Sequence, residues 1–192
     1  GWGTHRLRDL LSLDKGLSYK GEFLTHAGVP MINLGCLLGR GMFAEKAIKP
    51  YSGEFKPRHV ICPRDLVIAN TDITQKREVI GSPALVPPQV DAEQMIFSHH
   101  VFAARFNEER EPWKLFVYFL LLQDEFRERA TGFATGTTVL ALPRDAVLDL
   151  HCPAAPPVTL QAFNSIAFPL IERQWENDRQ SRTLAALRDA LL

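Results

Sequence analysis

The chain has 192 residues, of which 46% are hydrophobic and 23% charged, values that are typical of one globular domain and exclude a disordered or fibrous chain. Its 22 Lys and Arg balance 22 Asp and Glu, with a net charge of +4 over residues 1–80 (12 against 8) and −4 over the rest, which excludes blanket electrostatic binding of nucleic acid but allows a basic local face. The longest apolar run, Leu115–Leu122, is far shorter than the roughly 20 residues of a membrane span, and the first residues lack a secretion signal, so we expect a cytoplasmic protein without a membrane segment.

The first third of the chain predicts short strands separated by turns. Residues 1–15 are typical of an opening strand and a short helical turn that ends at Gly16. Val29–Leu34 predicts a further strand, and the glycine-rich segment Gly35–Gly41 predicts a loop.

A buried strand and an exposed loop are expected next. The turn and β-branched run Pro63–Asn70 predict the strand, which stops at the polar cluster Thr71–Arg77. Extended structure resumes over Glu78–Val86 and ends at Pro87–Pro88, because two consecutive prolines cannot donate hydrogen bonds to a sheet. Another strand is expected at Met95–Arg105.

A central core helix follows these strands. Proline in the first turn of Glu111–Trp113 favours a helix start. Apolar residues then recur at helical spacing as far as Phe126, and the helix is expected to end near Gly132. A small polar loop, Ala134–Thr138, leads to a strand candidate at Val139–Leu142.

A proline-rich stretch, Pro153–Pro157, marks an internal boundary, because prolines stiffen a connection. We therefore divide the chain into a globular domain, residues 1–155, and a helix, residues 156–192. Pro169 predicts a kink or a fresh start within that helix. Steps of three and four residues trace one helical face with apolar ends and a polar middle. This face, called the seam below, consists of Phe163, Ile166, Leu170, Arg173, Asn177, Gln180, Leu184, Leu187 and Leu191.

The seam has two interpretations. Polar seam residues fix the register of a helix that pairs with one defined partner, whereas an amphipathic helix can also fold onto its own domain. Under the first interpretation, Leu184, Leu187 and Leu191 pack against a partner helix.

The residues that catalysis or metal binding would need do not occur in a recognisable pattern. No phosphate-binding glycine motif or nucleophile elbow is present. Cys36, Cys62 and Cys152 are too widely spaced for a zinc site, and the adjacent pair His99–His100 lacks accompanying ligands. We therefore predict a protein that is not an enzyme and uses neither a metal nor a cofactor.

Several segments, in order, resemble the specificity subunit of Type I restriction-modification systems. They are Tyr51–Lys56, Pro63–Asp72, Gly81–Ala84 and Ala134–Leu140, which are similar to its target-recognition domain, and Asn177–Asp189, which is similar to its spacer helix. Arg64 stands where that family more often has glycine, so the type of turn before the strand is open. A complete subunit has two such domains and two such helices, and this chain has one of each. Because the chain ends within the helical pattern, at Leu191 and Leu192, we expect a fragment rather than a natural half-subunit.

The resemblance implies a fold and a set of partners. The fold would be an α/β (α+β) target-recognition domain with short mixed strands, followed by a long C-terminal helix that forms a coiled coil. The domain would read one half of a split site in double-stranded DNA. Methyltransferase (modification) subunits would bind the chain and perform the chemistry, and a separate motor-nuclease subunit would cut. Pairing through the seam would also allow a homodimer.

Reading a base sequence requires polar side chains in the major groove and cations on the phosphates. Polar loops at strand ends meet that demand, with Gln75 and Arg77 as the expected base readers. The candidate DNA-binding residues are Tyr19, Lys20, Thr71, Asp72, Thr74, Gln75, Lys76, Arg77, Thr135, Gly136, Thr137 and Thr138.

Two other functions compete with this one. The same fold could act as a scaffold or inhibitor that binds methyltransferase subunits without reading DNA. A catalytic site could also assemble from scattered residues such as His99, His100 and Asp72.

Overall fold

The computed structural model describes residues 2–72, 78–88, 92, 94–136 and 139–191. The chain forms two compact units, Gly1–Ala154 and Ala155–Leu192. The first unit contains short strands and three short helices, and the second is one long helix. The strands are β1 Thr4–Arg6, β2 Ser12–Lys15, β3 Leu24–Ile32, β4 Leu37–Gly39, β5 Met42–Phe43, β6 Lys49–Tyr51, β7 Val60–Ile61, β8 Leu66–Ala69, β9 Thr71–Asp72, β10 Pro83–Leu85, β11 Met95–Phe97, β12 Val101–Arg105, β13 Leu140–Ala141 and β14 His151–Pro153. The helices are α1 Lys114–Leu121, α2 Asp124–Phe133, α3 Arg144–Leu148 and α4 Pro157–Leu191.

Two four-stranded sheets form the centre of the first unit. The antiparallel sheet has the order β10-β8-β12-β2, and we call it the central sheet. The second sheet has the order β6-β3-β11-β7 and contains one parallel pair, β3 with β11. Three two-stranded sheets, β1-β14, β13-β9 and β4-β5, complete the unit. The predicted combination of mixed short strands with a long C-terminal helix is therefore confirmed.

Strand β8 lies inside the central sheet, and all four of its residues are fully buried. A strand buried on both faces has a continuous apolar run rather than an alternating one, which explains the sequence from Leu66 to Ala69. Val67 and Ala69 pack in one core cluster with Phe97 and Val101. The predicted buried strand is thus confirmed.

The turn before β8 depends on an unusual backbone conformation. Arg64 has a φ of +70°, in the left-handed region that glycine adopts without strain. Its N–H donates to the carbonyl oxygen of Val86 at 2.7 Å, and a carboxylate oxygen of Asp65 accepts from the N–H of Cys62 at 3.0 Å. The turn before β8 is therefore one that places residue 64 in the left-handed region, where glycine would fit without strain.

Two predicted regular segments are divided in the structure. Met95–Arg105 is not one strand, because a turn at Ser98–His100 separates β11 from β12, which belong to different sheets. The central helix is interrupted at Gln123, whose extended backbone (ψ 145°) precedes α2. Asp124 and Glu125 then occupy the first turn of α2, where acidic side chains interact favourably with the helix dipole.

Other predictions also need correction. The Gly35–Gly41 region holds the β4-β5 hairpin rather than only a loop, and within Glu78–Val86 only Pro83–Leu85 is a strand. Strands β2, β6, β7 and β14 and helix α3 were not predicted. Helix α4 continues through Pro169 without a fresh start. Proline removes one hydrogen-bond donor, but the helical turns before and after it keep their own hydrogen bonds.

Candidate nucleic-acid interface

One end of the central sheet brings the predicted site residues together. Strands β2 and β8 run towards this end, and β10 and β12 begin at it, since Ala69 pairs with Val101 and Lys15 pairs with Phe102. The segments that meet here are residues 16–20, 70–72, 78–82 and 98–100, and we call them the loop end. Two of the predicted DNA-binding segments, Tyr19–Lys20 and the start of Thr71–Arg77, therefore meet at one end of the sheet although they are far apart in the sequence.

Two histidines connect the predicted residues Tyr19 and Thr71. The hydroxyl of Thr71 lies 2.9 Å from Nδ1 of His100, and the rings of His100 and His99 have centroids 3.8 Å apart. The ring of Tyr19 lies 6.0 Å from that of His99. The side-chain amide of Asn70 donates to the backbone oxygen of His99 at 3.0 Å. Sequence reasoning considered these histidines only as metal ligands or catalytic groups.

The loop end is polar although part of it is buried. Asn70 and Ser98 are 2% and 0% exposed. Burial, followed by the charges of His99 and Lys15, lowers the pKa of His100. The lowered pKa favours the neutral imidazole of His100, so its contact with the uncharged hydroxyl of Thr71 is a hydrogen bond between neutral groups. Buried polar groups thus lie beside the buried apolar side chains of Leu17 and Ile80 at this end of the sheet.

Thr71 and Asp72 do not lie in an exposed loop, and that prediction is wrong for both. They form β9, which pairs with β13 and buries them to 9% and 0% exposure. Oδ2 of Asp72 accepts from the N–H groups of Val79 (2.7 Å) and Ile80 (3.1 Å). Because a buried carboxylate needs such donors, Asp72 holds the two flanks of segment 73–77 together and presents no surface to a ligand.

The remaining predicted residues of this loop, Thr74, Gln75, Lys76 and Arg77, lie outside the described residues, as do Thr137 and Thr138. Of the late loop, Thr135 exchanges two backbone hydrogen bonds with Ala141 at 3.1 and 2.8 Å. Ala141 also pairs with Thr71, so the flanks of the two predicted loops are neighbours. Gly136 has a φ of +122°, and a Cβ there would lie 2.2 Å from the carbonyl oxygen of Val139; only glycine fits.

Tyr19 and Lys20 follow the end of β2. Tyr19 is half-buried, with its ring 6.5 Å from that of Tyr51. Lys20 is exposed, and its ammonium lies 3.6 Å from the carboxylate of Glu22. Tyr19 is therefore held by packing, whereas Lys20 extends into solvent.

Within the described part of the chain, no group of three or more His, Cys, Asp or Glu side chains is arranged to hold a metal ion. All three cysteines are free thiols, and burial raises the pKa of Cys36 and Cys152 to about 11. Both thiols are therefore protonated at neutral pH, and neither is a ready nucleophile. None of the described helices is long and apolar enough to cross a bilayer.

The seam of α4 is largely open to solvent. Ile166, Leu170, Leu184, Leu187 and Leu191 have exposures between 55% and 86%. Asn177 is exposed and Phe163 is half-buried. The side-chain amide of Gln180 donates to Glu176 on the same helix at 2.7 Å. The single chain thus leaves most of the surface of the seam leucines exposed, and the predicted pairing with a second helix stays a prediction.

No family model matches the sequence, and no curated protein matches it. Solved structures do. The S subunit of a Type I restriction-modification system from M. genitalium aligns with a TM-score of 0.68 and 15% identity, over 99% of this chain and 44% of that chain. The HsdS subunit from Thermoanaerobacter tengcongensis aligns with a TM-score of 0.55 and 17% identity, over 100% and 40%.

A third structure, which concerns complex assembly and conformational transition of the type I R-M system, aligns with a TM-score of 0.57 and 17% identity, over 99% of this chain and 43% of that chain. The chain thus spans less than half the length of these relatives. Because the identities are only 15–17%, the likeness shows the fold alone. The alignments include both the globular unit and the helix. The chain accordingly has the fold of one target-recognition domain and one helix of a Type I restriction-modification specificity subunit.

Proposed function

We propose that this chain recognises one half of a split DNA sequence as a specificity subunit, or part of one, and directs methyltransferase subunits to it. The observation that carries this proposal is the loop end, where the flanks of the predicted DNA-binding loops converge on one end of a rigid sheet. Such an arrangement holds several polar loops in a fixed relation to each other, which base readout requires.

In this proposal Gln75 and Arg77 read bases, because each can make paired hydrogen bonds with a purine edge. Thr74 and Lys76 contact DNA beside them. Asp72 does not contact DNA. It holds the flanks of segment 73–77 together by accepting hydrogen bonds from the N–H groups of Val79 and Ile80. Tyr19, Lys20 and the threonines of the late loop complete the surface.

The chain itself performs no chemistry in this proposal and needs no cofactor. Methyltransferase subunits supply the modification activity, and a motor-nuclease subunit joins them for cleavage. The seam of α4 supports the protein–protein part of the proposal, because exposed leucines at heptad spacing suit a partner helix. In a single-domain chain that partner is a second copy, which restores two recognition domains and a symmetrical split site.

The same exposed seam also favours the second candidate function, a scaffold or inhibitor that binds methyltransferase subunits without reading DNA. The two functions differ in sequence preference alone. Both predict complex formation, and only the first predicts that modification occurs at a discrete site.

The test combines the chain with Type I methyltransferase subunits and maps methylation on random-sequence DNA. Modification at a discrete split sequence is expected. Arg77→Ala should relax the preference at one base pair, with a loss of about 1–3 kcal/mol in binding the preferred site. Lys46→Ala, at an exposed lysine distant in sequence from every candidate loop, is the matched control and should change nothing. Complex formation without any site preference would leave only the scaffold function.

The homodimer is tested separately by light scattering of the chain at micromolar concentrations. A mass of twice 21.6 kDa is expected. A monomer at tens of micromolar would remove the homodimer and leave the pairing of α4 with another protein.

A further inference from the structure

A basic groove opens next to the loop end, and sequence reasoning did not assign it. Its cavity volume is about 450 Å³. Lys15 at the end of β2, Arg58 in the turn before β7 and Arg144 at the start of α3 line it, together with His59, Ser18 and Asp14. Segments distant in the sequence thus bring three cations to one concave surface.

The cations of this groove are not neutralised within the described part of the chain. No carboxylate there lies within 4.0 Å of Lys15, Arg58 or Arg144. Arg144 lies over the ring of Phe102, at 5.9 Å from its centroid, and Nε of Arg58 lies 3.3 Å from Nε2 of His59. An aromatic face and an imidazole orient the guanidinium groups without cancelling their charge.

Other cations of the same unit contrast with these three. Arg8 forms ion pairs with Asp145 and Asp149, and Lys20 lies close to Glu22. The one acidic residue in the groove, Asp14, accepts from Nε of Arg105 at 3.1 Å. Arg105 is shared between Asp14 and Asp65, so it offsets part of the charge of Asp14, and the groove keeps three cations against this one carboxylate.

We propose that this groove binds phosphates of the DNA backbone and sets the register of the loop end on the duplex. The groove joins the loop end directly, because residues 16–18 line the groove and belong to the loop end. Lys15 is also close enough to His100 to influence its pKa. Exposed Lys and Arg beside loops that carry base-reading groups are the usual arrangement for a phosphate contact. This inference rests on the proposed DNA recognition and adds the residues that hold the backbone.

The test measures binding of the full chain to a labelled random-sequence duplex by fluorescence anisotropy at several salt concentrations. The logarithm of the binding constant K falls as the logarithm of the salt concentration rises. Each phosphate contact that is lost should reduce the magnitude of this slope by about 0.9. Lys15→Ala with Arg144→Ala should therefore lower it by about 2 and weaken binding equally on all sequences. Lys46→Ala with Lys49→Ala removes the same charge from exposed lysines outside the groove and should leave the slope unchanged.

A charge-retaining variant, Lys15→Arg with Arg144→Lys, should keep the slope of the unmodified chain, and circular dichroism should show that every variant is folded. If both double alanine variants have the same slope, the groove does not bind phosphate, although DNA recognition would stand. If the unmodified chain binds no duplex with or without methyltransferase subunits, the proposed function and the groove proposal both fail.

Discussion

The two compact units leave opposite kinds of groups unsatisfied at their surfaces. In the globular unit the strand β8 is wholly buried, and the exposed cations Lys15 and Arg144 of the groove have no carboxylate within 4.0 Å among the residues that the structure describes. In α4 Glu176 pairs with Arg179 and Arg188 pairs with Asp189, and the leucines of the seam are exposed. The two units would therefore suit different partners. The cations of the first unit suit a polyanion, and the exposed leucines of the second suit an apolar helix.

The charges of α4 show the pairing clearly. Both guanidinium contacts of Arg179 to Glu176 are below 3.0 Å, and with Gln180 they lower the pKa of Glu176 to about 2. Arg188 pairs with Asp189 in the same way. Such exposed pairs contribute little to stability. The exposed apolar side chains of the seam are the feature of this helix that a partner helix would cover.

The largest expected effect concerns the base of the loop end. A Cβ on Gly16 would lie 2.3 and 2.4 Å from the carbonyl oxygens of Ser98 and Phe97, so Gly16→Ala must separate the end of β2 from the 98–100 turn. We expect a loss of about 3 kcal/mol in the free energy of unfolding, because backbone atoms cannot move aside cheaply. Urea unfolding measures it. Gly21→Ala, with nothing within 4 Å of its Cβ, is the control, and equal stability of the two variants would contradict the close approach.

Asp72 provides the next largest effect. Asp72→Ala leaves the N–H groups of Val79 and Ile80 without their acceptor and should cost about 2 kcal/mol in the free energy of unfolding. Asp72→Asn keeps one acceptor oxygen and should cost less, so the pair separates the hydrogen bonds from the volume of the side chain. Urea unfolding of both variants checks this. Full stability of the alanine variant would mean that Asp72 does not hold the flanks of the loop.

The neighbouring strands β8 and β9 show how far the sequence predicts the site. The run Leu66–Ala69 was recognisable because burial on both faces leaves a continuous apolar pattern. Strand β9 was not, since two residues carry no periodicity and only the pairing with Leu140 and Ala141 makes them a strand. For that reason Thr71 and Asp72 were predicted as exposed loop residues.

The division of Met95–Arg105 was hidden for a related reason. Both β11 and β12 are buried and apolar up to Arg105, the last residue of β12, and only the short polar segment Ser98–His100 lies between them. Which sheet each strand joins is decided by contacts distant in the chain, with Ile32 and Ile61 for β11 and with Leu13 and Val67 for β12. The groove formed by Lys15, Arg58 and Arg144 was unpredictable from spacing for the same reason.

A smaller effect is expected at Arg64, whose positive φ is unfavourable for any residue with a Cβ. Arg64→Gly and Arg64→Ala both remove the side chain, but only glycine relieves the backbone. The glycine variant should be more stable than the alanine variant by about 1 kcal/mol. Thermal unfolding of the two variants measures the difference, and a more stable alanine variant would contradict the left-handed turn.

The smallest expected effect on stability lies on the seam and sets the two units apart most directly. Leu184 and Leu187 are 66% and 55% exposed, and glutamine has nearly the helix propensity of leucine. Leu184→Gln with Leu187→Gln should therefore change the free energy of unfolding of the dilute chain by no more than about 0.5 kcal/mol. The same variant should lose binding to a second copy or to methyltransferase subunits in sedimentation or pull-down measurements, while the salt dependence of DNA binding stays as it was. Lost stability in the dilute monomer would show that these leucines serve the fold of the chain, and the seam would then no longer differ from the buried β8.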